Sequence, residues 1–273
     1  MNFAAQALAG AGLTATTAML LHEHNERNIA ERLAAAALET LLNAIDANDS
    51  ETGAHVRRVA AYSLVLADAA EVDEAGRRLV EQVALFHDIG KIHEALFDII
   101  HDGRALTRSE RRAILTHPRR GADVLEPLSA FYPDLSAGVL AHHEYWNGQG
   151  YPRQLKGRRI PLAARIVTIS DTFDAITYHR RYSKGRSAQT ALELILEKRG
   201  TQFDPELVDL FSFPGVFEQI LDTEREVSRW SAGAQRRSGR EEREIPEITF
   251  RWRPAPGAMR ERQHQGRATR IGR

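Results

Sequence analysis

The sequence contains no cysteine in its 273 residues. This excludes a disulfide framework, a Cys-ligated zinc or iron–sulfur site and a thiol nucleophile. Excess charge of either sign is also lacking, since 37 Lys and Arg balance 37 Asp and Glu. Bulk charge therefore points to no polyanionic partner, and no specific nucleic acid is expected. Nor is there an apolar run of about eighteen residues, so no membrane insertion is expected. The nearest stretch, Phe3 to Leu21, is mostly Ala, Gly and Thr with no Lys or Arg before it, unlike a secretory leader. The default compartment is the cytoplasm. Charge is nevertheless uneven: Trp230 to Arg273 carries arginines well in excess of glutamates, so the remainder is acidic by the same margin.

What is present is helical periodicity. From Asn25 to Ala47 the residues Ile29, Leu33, Ala37, Leu41, Ala44 and Ile45 share one face. Further helices are expected from about Thr52 to Ala70 and from about Glu74 to Phe86. Thr107-Arg-Ser-Glu110 reads as a capping box before an Arg-rich helix that reaches His117, with Pro118 following. Leu135 to His143 is a short helix, and Asn147-Gly-Gln-Gly-Tyr-Pro152 is a forced loop. Ile160 to Tyr178 reads as a long buried helix, followed by Ser187 to Arg199 and by Asp204 to Leu221, interrupted at Phe213-Pro-Gly215. Only Glu247 to Trp252 hints at a strand. The expected fold is all-α, a helical bundle. Residues 1–24 form a lead-in, poorly ordered or helical, and 25–46 a connector helix. Residues 47–222 are the functional domain, and 223–273 an Arg-rich, mostly disordered tail.

Eleven histidines are present. His55, His87, His117, His142 and His143 fall at helix ends or beside carboxylates. Singly each is an ordinary structural histidine; together with carboxylates they form the ligand set that Mn, Fe and Zn accept. Glu51 and His55, four apart, share a helix face. His87 and Asp88 are adjacent, and two metals can share them if the carboxylate bridges. Lys91 follows one turn later. His142 and His143 differ by about 100° on a helix, which suits two different ions. Asp171 lies on an apolar helix face, where a lone carboxylate is costly without a cation. Two dications roughly 3.5–4 Å apart lower the pKa of a water and neutralise phosphoryl charge, as phosphodiester hydrolysis requires.

Seven ordered blocks between Glu51 and Pro205 resemble the HD-GYP family, the subset of HD metal-dependent phosphohydrolases that degrades bacterial cyclic di-GMP. They are Glu51-Thr-Gly-Ala-His-Val-Arg-Arg58, His87-Asp-Ile-Gly-Lys91, His117-Pro-Arg-Arg-Gly121, His142-His-Glu-Tyr-Trp-Asn-Gly-Gln-Gly-Tyr-Pro152, Ile160-Pro-Leu-Ala-Ala-Arg-Ile166, Asp171-Thr-Phe-Asp-Ala-Ile-Thr177 and Gly200-Thr-Gln-Phe-Asp-Pro205. The resemblance implies that Glu51, His55, His87, Asp88, His117, His142, His143 and Asp171 are metal ligands. It implies two ions, with a third linked to Glu51 in some members; cysteine-free, histidine-rich ligation suits Fe or Mn. Asp88 and Lys91 are implied as catalytic, and Tyr151, Asp174 and Arg180 as dinucleotide contacts. The chain departs from the family at Asn147-Gly148, usually Asp-Gly, and at Arg181-Tyr182-Ser183-Lys184, where the family has a proline and a basic residue.

The reading is a phosphodiesterase that opens cyclic di-GMP to linear diguanylate and, on a second cut, GMP. The alternatives are an HD hydrolase of another cyclic or phosphorylated nucleotide and a non-catalytic cyclic di-GMP-binding regulator. Intact ligands count against the regulator, and the Gly-Tyr-Pro block against another nucleotide. No sensory domain is visible, so the input falls to a separate sensory or diguanylate cyclase partner. The stripe of the N-terminal helix offers a homodimer contact.

Overall fold

The structure, a computed structural model, describes residues 3–91, 107–178 and 185–237. Among them the chain is helical, with an isolated bridge between Arg199 and Phe203 in place of any strand. The helices are α1 (Phe3–Asn48), α2 (Ser50–Ala69), α3 (Glu74–Phe86), α4 (Arg108–Ile114), α5 (His117–Leu125), α6 (Leu135–Ala141), α7 (Leu162–Thr177), α8 (Ala188–Glu197), α9 (Pro205–Ser212) and α10 (Pro214–Arg237). Short 3₁₀ turns occupy Ile89–Lys91, Glu126–Leu128 and Gly157–Arg159.

Local chemistry sets the boundaries. Asp49 accepts hydrogen bonds from the amides of Glu51 and Thr52 and starts α2 one residue after α1 ends. Asp73 caps α3 through Gly76, and Ser187 caps α8 through Thr190. The Thr107–Glu110 capping box forms in full at α4. The helix expected to run on to His117 is broken, however. It ends at Ile114, and Pro118 sits in the first turn of α5, where its missing N–H costs nothing.

The core is built around α2, which packs against α1, α3, α7 and α10. Tyr62, Leu66, Val83, Phe86, Ile166, Ile169, Phe173 and Phe211 lie within it, all essentially inaccessible. Helix α1 contributes Ala34, Leu38 and Ile45 to this core, while Ile29 and Leu33 stay exposed. It is one continuous helix over both the expected lead-in and connector. Helix α10 likewise runs to Arg237, past the residue-222 boundary. Arg180 to Lys184, Ile92 to Leu106, and residues 238–273 with the strand expected at 247–252 lie outside the described residues. Among those described, no helix is long and apolar enough to cross a membrane.

Candidate metal centre

Five elements deliver the polar cluster. Helix α3 buries Val80, Val83, Ala84, Leu85 and Phe86, so its C-terminal end lies inside the bundle and carries His87 and Asp88 there. The 3₁₀ turn after it lies directly on α5. A Cβ at Gly90 would sit 2.1 Å from the carbonyl oxygen of His117 and 2.6 Å from the Gly121 amide. Only glycine allows this approach, which sets His117 against Asp88. His55 comes from the buried face of α2, Asp171 from α7, and His142 and His143 from the end of α6.

Ligand-type atoms of His55, His87 and Asp171 converge within 4.8 Å of one another, and those of His117, His142 and His143 form a second such group. Asp88 lies between the two. Its Oδ2 is 3.5 Å from His87 Nε2 and 3.8 Å from His55 Nε2, and its Oδ1 is 3.3 Å from His117 Nε2. Asp171 Oδ1 is 3.3 Å from His55 Nε2. Lys91 Nζ donates to Asp88 Oδ2 at 2.6 Å. Glu51 lies one turn before His55 on α2, half-buried, and belongs to neither group. His142 and His143 fall in the same group: α6 ends at Ala141, and beyond it the two rings lie 4.1 Å apart.

The hydrogen bonds around the cluster aim its nitrogens inward. His87, His117 and His142 each donate Nδ1–H to the carbonyl three residues back, those of Ala84, Ile114 and Val139, at 2.8, 2.7 and 2.6 Å. His55 Nδ1 pairs with the Asp174 carboxylate at 2.7 Å. Every Nε2 so oriented is left facing the centre, the arrangement that orients metal-ligating imidazoles. Burial pushes His117 down to about 3 and His143 to about 4, against the opposing pull of carboxylates, and holds His142 well below its ordinary value. His117 and His142 are thus neutral at pH 7, with lone pairs facing across 3.1 Å. Two lone pairs at that distance repel, whereas two nitrogens ligating one ion at right angles stand about 3.0 Å apart. His87 Nε2 and Asp88 Oδ1 are buried with no hydrogen-bond partner. The donor set fits divalent metal ions.

At the first group burial alone would lower His55, but Asp171 and Asp174 together raise it to about 9. Burial would raise Asp88; Lys91 and the surrounding histidines outweigh it and hold the carboxylate well below its usual range.

Two further residues support this centre. The resemblance placed Asp174 among the dinucleotide contacts, and the structure places it behind His55. Its carboxylate is 1% exposed and takes Arg58 Nε at 2.6 Å and Nη2 at 2.9 Å besides His55. Both of its oxygens are thus engaged by these two buried cations. Arg58, itself buried, lies over the Tyr178 ring at 3.5 Å. Its signal in the sequence was a cation three residues after His55 on an apolar helix face. Glu144, buried beside His143, is the other, and its signal was a carboxylate directly following a histidine pair. Tyr151 stacks on His143, with ring centroids 4.9 Å apart.

A helical bundle with two histidine groups joined by an aspartate has the build of a metal-dependent phosphohydrolase. The HD domain family model matches residues 39–207, and the chain belongs to that family. Curated relatives include "3'3'-cGAMP-specific phosphodiesterase 2" of Vibrio cholerae serotype O1, 34% identical over 62% of this chain and 33% of its own length. "Cyclic di-GMP phosphodiesterase response regulator RpfG" of Xanthomonas campestris pv. campestris is 35% identical over 70% of this chain and 50% of its own. "Cyclic di-GMP phosphodiesterase" of Thermotoga maritima is 33% identical over 64% and 47%. The chain thus spans between a third and a half of these relatives. A crystal structure of a cyclic GMP-AMP specific phosphodiesterase from V. cholerae shares the fold, with TM-score 0.50 and 23% identity over 70% of this chain and 52% of the other.

Proposed function

We propose that the chain is a metal-dependent phosphodiesterase that hydrolyses cyclic di-GMP to linear diguanylate, with GMP as the product of a second cut. The observation that carries this is the bridged pair of histidine groups, with Asp88 reaching both and His87 Nε2 orphaned between them. His55, His87 and Asp171 would hold one divalent ion and His117, His142 and His143 the other, with Asp88 placed to serve both. Glu51, the carboxylate that the resemblance links to a third ion, would serve one there. Iron or manganese is the ion expected from the donor set. Bound there, such ions supply an acidified water as nucleophile and offset charge on the phosphoryl oxygens.

The chain's own residues do the rest. Lys91, held by Asp88, keeps an ammonium at the edge of the cluster. There it offsets charge that develops on the phosphoryl group or protonates the leaving oxygen. Tyr151 would offer its ring and hydroxyl to the nucleotide, and the resemblance assigns Arg180 a phosphate contact. A nucleotide messenger as substrate goes with action in the cytoplasm and with a separate sensory or diguanylate cyclase partner. Ile29 and Leu33, exposed on α1, form the homodimer contact. Leu33→Glu is expected to shift a dimer to monomer in sedimentation, and a wild-type monomer would remove this part of the reading.

The 34% identical relative specific for 3′3′-cGAMP favours a second reading, with that dinucleotide as substrate. Measuring kcat/KM for both cyclic dinucleotides on one preparation decides between them. A ratio above ten for cyclic di-GMP supports the first reading, and the reverse ratio the second.

A further inference from the structure

Four of the five clustered histidines have the ring nitrogen remote from the centre held by a hydrogen bond: His55 by Asp174, and His87, His117 and His142 by backbone carbonyls. His143 is the exception. Among the described residues its imidazole has no hydrogen-bond partner, and the Tyr151 ring lies nearly parallel against it, at 23°. The backbone holds Tyr151 close, since its amide donates to the carbonyl of His143 at 3.1 Å. A Cβ at Gly150 would lie 2.2 Å from the Tyr145 amide, so the returning strand of the loop presses on the outgoing one.

What closes that loop is Glu144. It is 2% exposed, and its two carboxylate oxygens accept the amides of Arg153 at 2.6 Å and Leu155 at 2.9 Å, on the far side of Tyr151. A buried carboxylate is costly, and this one meets backbone donors in the segment that carries Tyr151. The outer edge of the loop is fixed separately. The amides of Trp146 and Asn147 donate to the carbonyls of Gln202 and Thr201, and that of Gly157 to Trp146.

We propose that Glu144 is a positioning residue for the second metal group: it draws residues 153–155 inward, keeps the Tyr151 ring flat on His143, and so fixes the one ligating imidazole that no hydrogen bond orients. The proposal rests on the reading of His117, His142 and His143 as metal ligands. It assigns the glutamate after the histidine pair a task separate from substrate contact. Loss of a residue that orients a metal ligand weakens metal binding by about 10–100-fold.

The test is Mn(II) binding to the full chain across a range of free Mn(II), with unbound ion read by electron paramagnetic resonance. Glu144→Gln, Tyr151→Leu and the double variant run beside wild type. Wild type is expected to bind two ions. Each single variant is expected to keep one at wild-type affinity and bind the other at least tenfold more weakly. The double variant should be no worse than Tyr151→Leu, because both changes act through one ring. Tyr151→Phe, which keeps the ring, should bind as wild type does. Glu144→Asp, milder by one methylene, stands in if Glu144→Gln does not fold and should show the same weakening in smaller degree. Unchanged Mn(II) affinity with only a lowered melting temperature would make Glu144 a structural strut and overturn the proposal. So would a double variant in which the two losses multiply. A wild-type chain that binds no Mn(II) would instead overturn the metal reading itself, and the proposal with it.

Discussion

Asp174 lies outside both histidine groups, yet its carboxylate joins two buried cations, Arg58 through two guanidinium nitrogens and His55 through Nδ1. Removing it leaves Arg58, 2% exposed, charged and unpaired in the core. Asp174→Ala is therefore expected to cost about 3–5 kcal/mol in urea unfolding, and the folded remainder should bind the first ion more weakly. A loss below about 1 kcal/mol, the size of an exposed pair, would show that Arg58 finds another partner. The histidines set a second expectation. His117 and His143 are held near 3 and 4 by burial, below the roughly 6.5 of an unfolded chain, so they favour folding above that pH and cease to as pH falls. His55, raised to about 9, contributes below about 6.5 and loses its contribution as pH rises toward 9. Metal-free protein should thus be most stable near pH 6.5 and weaker on both sides, and a flat profile from pH 5 to 9 would contradict these assignments.

At the scale of elements, the junction between the 89–91 turn and α5 decides whether Asp88 reaches His117. Gly90→Ala would drive a methyl into backbone atoms of His117 and Gly121 that cannot rotate away. Overpacking of this kind costs about 1–3 kcal/mol, and the second ion should be lost before the first. Metal content and unfolding midpoint on the same sample check both. Much of the element order was legible because its signals are local. The Thr107–Glu110 box needs only four residues, and the apolar period of Glu74 to Phe86 needs only thirteen. The rest depends on contacts distant in sequence. That α6 stops at Ala141 and lets His142 and His143 converge is set partly by Thr168 of α7, whose hydroxyl donates to the His142 carbonyl. That Asp174 sits behind His55 is set by Arg58, 116 residues away. A single-helix argument sees neither.

For the whole molecule, the eight residues that the resemblance implies as ligands come from α2, the end of α3 and the turn after it, α5, the end of α6 and α7, and seven of them meet in one cluster; Glu51 stands one turn off. A site drawn from five elements ties the bundle together, so the ions should stabilise the fold they occupy. At free Mn(II) a hundredfold above Kd, about 2.7 kcal/mol per site is expected, read as a rise in unfolding midpoint that a chelator reverses. An unchanged midpoint with metal bound would mean that the unfolded chain binds the ion as tightly as the folded one.

The most direct test of the account is the fate of cyclic di-GMP incubated with the Mn(II)-loaded or anaerobically Fe(II)-loaded chain, with products separated by chromatography. The Asp88→Asn variant, which loses the bridging charge, runs in parallel. The expected result is linear diguanylate, followed or not by GMP, from wild type alone and abolished by chelation. Intact cyclic di-GMP and intact 3′3′-cGAMP after incubation with a folded, metal-loaded wild type would contradict the phosphodiesterase reading.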